Sequence, residues 1–297
     1  MTAAAQSVYT CPYCRMNSDG TNRTCPHCGA PTDVRLKVTN SGWIEQPPIR
    51  DMARLRFSRS TVQISGAYVP VAEMGLNGDD WVYFSHHNLL HTDPGVRLDN
   101  LPLKGAWKRV RAGLPIIMMT ARGPGHIGFS ADRPGETLAV PLNPNWAIDV
   151  TEHRFLVATG NITYGYDQSH VWFTTGSGDD TEWHYPVGQY IDTFSASGGP
   201  GLLLLHAPGN TFLRDLGPQE QILVQPGGLI YKDRSVRMHL HFEYPRGQYW
   251  YSSARWQAKS TWLALTGPGR VAISSAFEHP EGSGSVTRTS GSTTQHW

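Results

Sequence analysis

At 297 residues the chain has room for one large domain, or two average ones with a small appendage, and 39% hydrophobic residues supply a core. A formal net charge of +1 with only 16% charged residues gives no strong pull toward nucleic acid or an anionic membrane. The longest apolar runs, Leu114 to Met119 and Leu202 to Leu205, fall far short of the roughly 20 residues that span a bilayer.

All four cysteines lie in residues 1–31, read as a zinc ribbon. Cys11-Pro-Tyr-Cys14 and Cys25-Pro-His-Cys28 are two knuckles ten residues apart. Each CxxC turn presents two thiolates to one cation, and two turns complete a tetrahedral Zn²⁺ site that is structural and closed. A segment this short has almost no core of its own, so it depends on the metal to fold. His27, between two ligands, is read as a bystander. With no cysteine elsewhere and no signal-peptide plan in Met1 to Val8, a reducing cytoplasm is the expected compartment.

Residues 32–48 form a Pro-containing linker in which Val34 to Val38 suggests a short strand. From residue 49 to 278 the chain alternates strand-like runs with Gly and Pro turn signals, as an all-β domain does. Strands are expected at Leu55 to Ile64, Trp81 to Phe84, Arg154 to Ala158, His170 to Thr174 and Trp262 to Leu265. Val236 to Tyr244 shows the clearest period of two, because Val236, Met238, Leu240, Phe242 and Tyr244 alternate with Arg237, His239, His241 and Glu243. No helical period extends beyond about two turns.

Gly123-Pro-Gly125, Ala207-Pro-Gly209 and Gly267-Pro-Gly269 each follow an apolar run and lead into alternating residues. Repeated hairpins, and therefore a duplicated β domain, are the economical reading. Residues 279–297, rich in Ser, Gly and Thr, read as a flexible tail.

Other candidate chemistry is sparse. His239, His241 and Glu243 share one strand face and invite a cupin-like metal-dependent enzyme, although Glu243 follows the second His too closely for the usual cupin spacing. His86, His87 and His91 form a second histidine group. The sequence has no P-loop, dinucleotide fingerprint or nucleophile elbow. Asp79-Asp80 and Asp179-Asp180 adjoin Gly and fit turns. Lys104, Lys108, Arg109 and Arg111 make one basic patch, read as a solvated strand face. Dense aromatics, among them Trp81, Tyr83, Trp172, Trp183, Tyr249, Trp250 and Trp256, are read as core and subunit-interface packing, with stacking on nucleic acid as the rival reading.

The run Gly78-Asp-Asp-Trp-Val-Tyr-Phe-Ser-His-His-Asn-Leu-Leu90 resembles a motif of the Altered Inheritance of Mitochondria twenty-four (AIM-twenty-four) family. So do Gly201-Leu-Leu-Leu-Leu205, Gln225-Pro-Gly-Gly-Leu-Ile230 and Leu265-Thr-Gly-Pro-Gly-Arg-Val271. Bacterial members with an N-terminal zinc ribbon are also similar. The resemblance implies a duplicated antiparallel sandwich or barrel like that of the tryptophan RNA-binding attenuation protein (TRAP), assembled into trimeric rings, with no catalytic residues to carry over. The expectation is thus a non-enzymatic, homo-oligomeric scaffold that engages a protein partner through its ribbon. Nucleic-acid binding through the ribbon and the basic and aromatic surface is the alternative, and peripheral membrane association stays open.

Overall fold

The computed structural model describes residues 8–33, 36–103, 117–175, 181–243, 260–277 and 287–288. It is all-β: among these residues there are strands and a few 3-10 turns and no α-helix. Strands β1 (Val8–Thr10) and β2 (Asn17–Asp19) form the ribbon's hairpin, and β3 (Ile44–Glu45) follows it. β4 (Leu55–Phe57) and β5 (Ser60–Ser65) replace the single strand expected over Leu55 to Ile64. Ser58, at a φ of 50°, turns the chain back, so Leu55 pairs Val62. The expected strand at Val34 to Val38 reduces to one bridge between Val38 and Ile44, with residues 34–35 outside the described set.

A six-strand pattern then begins. β6 (Val71–Leu76), β7 (Trp81–Phe84), β8 (Leu89–Thr92), β9 (Arg97–Pro102), β10 (Ile117–Arg122) and β11 (Gly125–Ser130) make the first copy. The first and third strands flank the sixth, and the second and fourth flank the fifth, all antiparallel.

The second copy is β12 (Glu136–Leu142), β13 (Ala147–Val150), β14 (Phe155–Thr159) and β15 (Ile162–Gln168), continued by β18 (Tyr190–Ala196) and β19 (Gly201–Ala207). β16 (Phe173–Thr175) and β17 (Glu182–His184) are inserted before β18. The third copy is β20 (Thr211–Leu216), β21 (Gln221–Val224), β22 (Leu229–Asp233), β23 (Arg237–Glu243), β24 (Ser260–Thr266) and β25 (Gly269–Ser274). β26 (Thr287–Arg288) pairs β17, so the expected tail contributes one short strand.

The same neighbours recur in each copy. Each also carries a bulge at one place, between Gly128 and Phe129, Phe155 and Val157, and Leu229 and Tyr231. A bulge inserts an unpaired residue and sharpens the local twist, so its conservation across copies marks a shared bend. One capping hydrogen bond recurs too. Asp93 Oδ2 accepts from the His126 N–H (2.8 Å), Thr159 Oγ1 from the Leu202 N–H (3.0 Å), and Asp233 Oδ2 from the Arg270 N–H (2.7 Å).

The two copies read in the sequence are therefore joined by a third between them. This middle copy carries the same tripeptide, since Gly199-Pro-Gly201, not Ala207-Pro-Gly209, stands where Gly123-Pro-Gly125 and Gly267-Pro-Gly269 stand. Ala207-Pro-Gly209 belongs instead to the turn from β19 to β20. The Gly123-Pro124 and Gly267-Pro268 peptides are both cis.

The chain divides into two compact units: Met1–Ala147, His153–Gly165 and Phe194–Leu213 in one, and Ile148–Glu152, Tyr166–Thr193 and Arg214–Trp297 in the other. The first unit holds the sheets β4-β5-β6-β11-β8 and β12-β19-β14-β7-β10-β9. Val62, Met74, Phe129, Val82, Phe84, Leu156 and Leu204, drawn from both sheets, share one core. The Phe84 and Phe129 rings meet edge-on at 4.8 Å. β5 and β6 alternate buried and accessible residues, whereas every residue of Gly201–Ala207 is buried. That explains why the Leu202 to Leu205 run is uninterrupted rather than alternating. The linker takes part as well, since Ile44 and Glu45 pair Leu213 and Phe212.

In the second unit, β13 pairs β22 and β22 pairs β25, while β21 and β23 flank β24. Asp149 stands directly opposite Lys232, and Lys232 Nζ donates to Asp149 Oδ2 at 2.6 Å with both side chains largely buried. Arg270 is fully buried and donates through Nε to Asp215 Oδ1 at 2.7 Å.

Candidate metal centre

Both knuckles fold by the same local rule. The Arg15 N–H donates to the Cys11 carbonyl (2.7 Å) and the Cys11 N–H to the Met16 carbonyl (3.0 Å). In the twin knuckle, the Gly29 N–H donates to the Cys25 carbonyl (2.9 Å) and the Cys25 N–H to the Ala30 carbonyl (2.8 Å). The residue after the second cysteine is left-handed in each, with φ of 63° at Arg15 and 78° at Gly29. Glycine is required at the second position for a further reason: a Cβ there would lie 2.6 Å from the Ala53 carbonyl oxygen.

These turns aim all four thiols inward. The four Sγ atoms lie within 4.8 Å of one another and every cysteine is buried. Cys11 and Cys28 are 3.7 Å apart at sulfur, and Cys14 and Cys25 are 3.6 Å apart. A tetrahedral cation with metal–sulfur bonds of about 2.3 Å sets its sulfurs about 3.8 Å apart, so the cluster has the dimensions of a Cys₄ site. Contact with Cys14 lowers the Cys11 pKa and contact with Cys11 lowers that of Cys25, while contact with Cys11 raises both Cys14 and Cys28. A dication held by all four would stabilise every thiolate at once. Four sulfurs fill a tetrahedral shell and leave no position for a substrate.

The ribbon is fastened to its own unit. The Ala53 N–H donates to the Gly29 carbonyl at 2.8 Å, and the Arg15 guanidinium sits 5.1 Å from the Trp146 ring centroid. Neither contact left a trace in the sequence, because Ala53 and Trp146 carry no ligand signature. His27 Nε2 faces the Asn17 carbonyl at 3.3 Å, outside the sulfur cluster.

The remaining candidates are scattered. His239, His241 and Glu243 are exposed on β23, with His241 Nε2 and Glu243 Oε1 3.8 Å apart. They do not converge as ligands. Among the described residues, the four cysteines are the one group of metal-ligating side chains brought together. The His86 and His87 rings meet edge-on at 5.7 Å. Asp80 serves a turn, accepting from Ser60 Oγ (2.6 Å) and the Arg59 N–H (3.0 Å). Lys104, Lys108, Arg109, Arg111, Tyr249, Trp250 and Trp256 and the Asp179-Asp180 pair lie outside the described residues. Of the aromatics that are described, Tyr83 and Phe84 are core, while Trp172 is exposed beside Trp183 at 4.4 Å between ring centroids.

A buried imidazole is a feature that the sequence reading missed. His206, in the all-buried strand β19, is 2% exposed. Burial first, and then the Arg154 and Arg133 guanidinium groups, push its pKa down to about 4.

A family profile described as "Mitochondrial biogenesis AIM24" matches residues 62–276, most of the three-copy region. The crystal structure of protein SPYM3_0169 from Streptococcus pyogenes is similar, with a TM-score of 0.54 and 16% sequence identity. The match covers 74% of this chain and 94% of that one, and at this identity it speaks for the fold alone. No curated protein matches the chain.

Proposed function

The chain belongs to the mitochondrial biogenesis AIM24 family, and on that premise we propose that it is a non-enzymatic, self-associating scaffold whose ribbon holds a structural zinc ion. One observation carries the zinc part of this reading: four buried thiols at tetrahedral spacing, enough to fill a four-coordinate shell. A sulfur-only shell favours zinc among abundant divalent cations and provides no reaction site. Reduced, metal-bound thiols also fit a reducing cytoplasm. No described helix is long and apolar enough to cross a membrane. Self-association follows the family resemblance to TRAP-like trimers, and it would present several ribbons from one assembly, making weak partner contacts effective together.

The test is light-scattering mass of the purified chain with metal content determined on the same peak. A multiple of 32.9 kDa with one zinc per chain supports the proposal. A single-chain mass, or a second stoichiometric metal, overturns it.

A further inference from the structure

Between successive copies the chain makes one kind of junction, and it makes it twice. β7 of the first copy pairs β14 of the second, with Phe84 opposite Val157, Tyr83 opposite Ala158 and Val82 opposite Thr159. β13 of the second copy pairs β22 of the third, with Val150 opposite Tyr231, Asp149 opposite Lys232 and Ile148 opposite Asp233. In each case the second strand of one copy joins the bulged third strand of the next, in the same register. Among the described residues, two halves of a third such junction are left over. β8, the bulged third strand of the first copy, ends its sheet beyond β11, and β21, the second strand of the third copy, ends its sheet beyond β24.

These edges carry side chains suited to a covered strand. Leu90 is 57% exposed, whereas its counterparts at the two formed junctions, Leu156 and Ile230, are 1% and 0% exposed. Leu223 is 40% exposed and its counterpart Tyr83 only 2%. Both edges are short and β8 is bulged, but Leu89–Thr92 and Gln221–Val224 contain no Lys, no Pro and no inward charge, the side-chain protections that solitary edge strands carry. Open edges of equal length, with complementary roles in a junction already built twice, call for each other.

We propose that the β8 edge of one chain pairs antiparallel with the β21 edge of a second copy, head to tail, in the register of the two internal junctions. His91 then faces Val224, Thr92 faces Leu223 and Asp93 faces Ile222. The interface is heterologous, so it closes into a ring when the rotation per chain permits. This deepens the self-association reading and rests on it.

Mixing two single variants of the full-length chain isolates contact between copies. Thr92→Cys and Leu223→Cys, purified separately, combined and mildly oxidised, should give a disulfide-linked product of two chains on a non-reducing denaturing gel. Thr92→Cys with Gln221→Cys, shifted two residues along the strand, should not. Leu223→Lys, at a solvent-facing position, should lower the light-scattering mass to that of one chain while circular dichroism stays unchanged.

Linking only within one chain of the Thr92→Cys/Leu223→Cys double variant overturns the proposal. So does an oligomer that neither links nor responds to Leu223→Lys, and in that case self-association itself stands. A wild-type chain that is monomeric overturns both.

Discussion

Removing Asp149 tests whether the junction between the second and third copies depends on its buried ion pair. Asp149→Ala leaves the Lys232 ammonium in place without the carboxylate 2.6 Å away, on strands where both side chains are largely buried. Breaking one partner of a buried pair costs about 3–5 kcal/mol, chiefly because the surviving charge is desolvated without compensation. Asp149 keeps some contact with solvent, so the lower end, about 3 kcal/mol, is the expected loss. Replacing both residues removes the stranded charge. Asp149→Leu with Lys232→Met should therefore return to within about 1 kcal/mol of wild type, or exceed it.

Urea titration at pH 7, followed by tryptophan fluorescence and circular dichroism, reads both variants against wild type. Adding salt to about 1 M should barely change the gap, because a buried pair is weakly screened. If Asp149→Ala unfolds within about 1 kcal/mol of wild type, or the double variant is as unstable as the single one, the pair does not hold this junction as argued.

If the ribbon holds the proposed metal, Cys11→Ser should abolish its binding and the hydrogen-exchange protection at the Cys25 and Gly29 amides, while the first unit's strands keep theirs; retained protection would show a ribbon that folds without metal. His206 gives a pH signature. The folded chain holds it neutral down to about 4, whereas an unfolded imidazole protonates near 6.5. The unfolded state thus binds more protons between those values, and stability falls by about 3 kcal/mol as pH drops through that window, levelling off below it. His206→Leu should flatten this part of the urea-midpoint profile, and an unchanged slope would refute the assignment. Phe129→Ala should cost about 3–5 kcal/mol by opening the first unit's core beside Phe84, measured by the same titration. Gly135→Ala should destabilise by about 2 kcal/mol or more, since its Cβ would fall 2.1 Å from the Ala207 carbonyl oxygen; a smaller loss would mean that the turn yields.

The fold class and the cysteine cluster were legible because both rest on short-range rules. Period-two alternation marks Arg237–Glu243 directly, and CxxC spacing brings two thiols together whatever surrounds them. The middle copy went unread although Gly199-Pro-Gly201 marks it, because Ala207-Pro-Gly209 stood in its place in the repeat and the residue that caps its sixth strand differs from the other two. Asp93, Thr159 and Asp233 all cap the start of the sixth strand, yet one is a hydroxyl and two are carboxylates. The β16 and β17 insertion further stretches the middle spacing. Asp149 with Lys232 and Arg270 with Asp215 are long-range pairs, which no local pattern announces. Arg270 was even part of a family-like motif, but only the fold shows that its guanidinium is buried.

Carrying three copies on one polypeptide frees each junction to drift separately. In a ring of identical single modules, any substitution would appear at every joint simultaneously, and an acid placed opposite a neutral residue would be tried everywhere or nowhere. Here one joint opposes Tyr83 to Ala158 and the next opposes Asp149 to Lys232. The covalent link turns a repeated contact into an addressable one. A joint can be tightened, loosened or made sensitive to its surroundings without its siblings following.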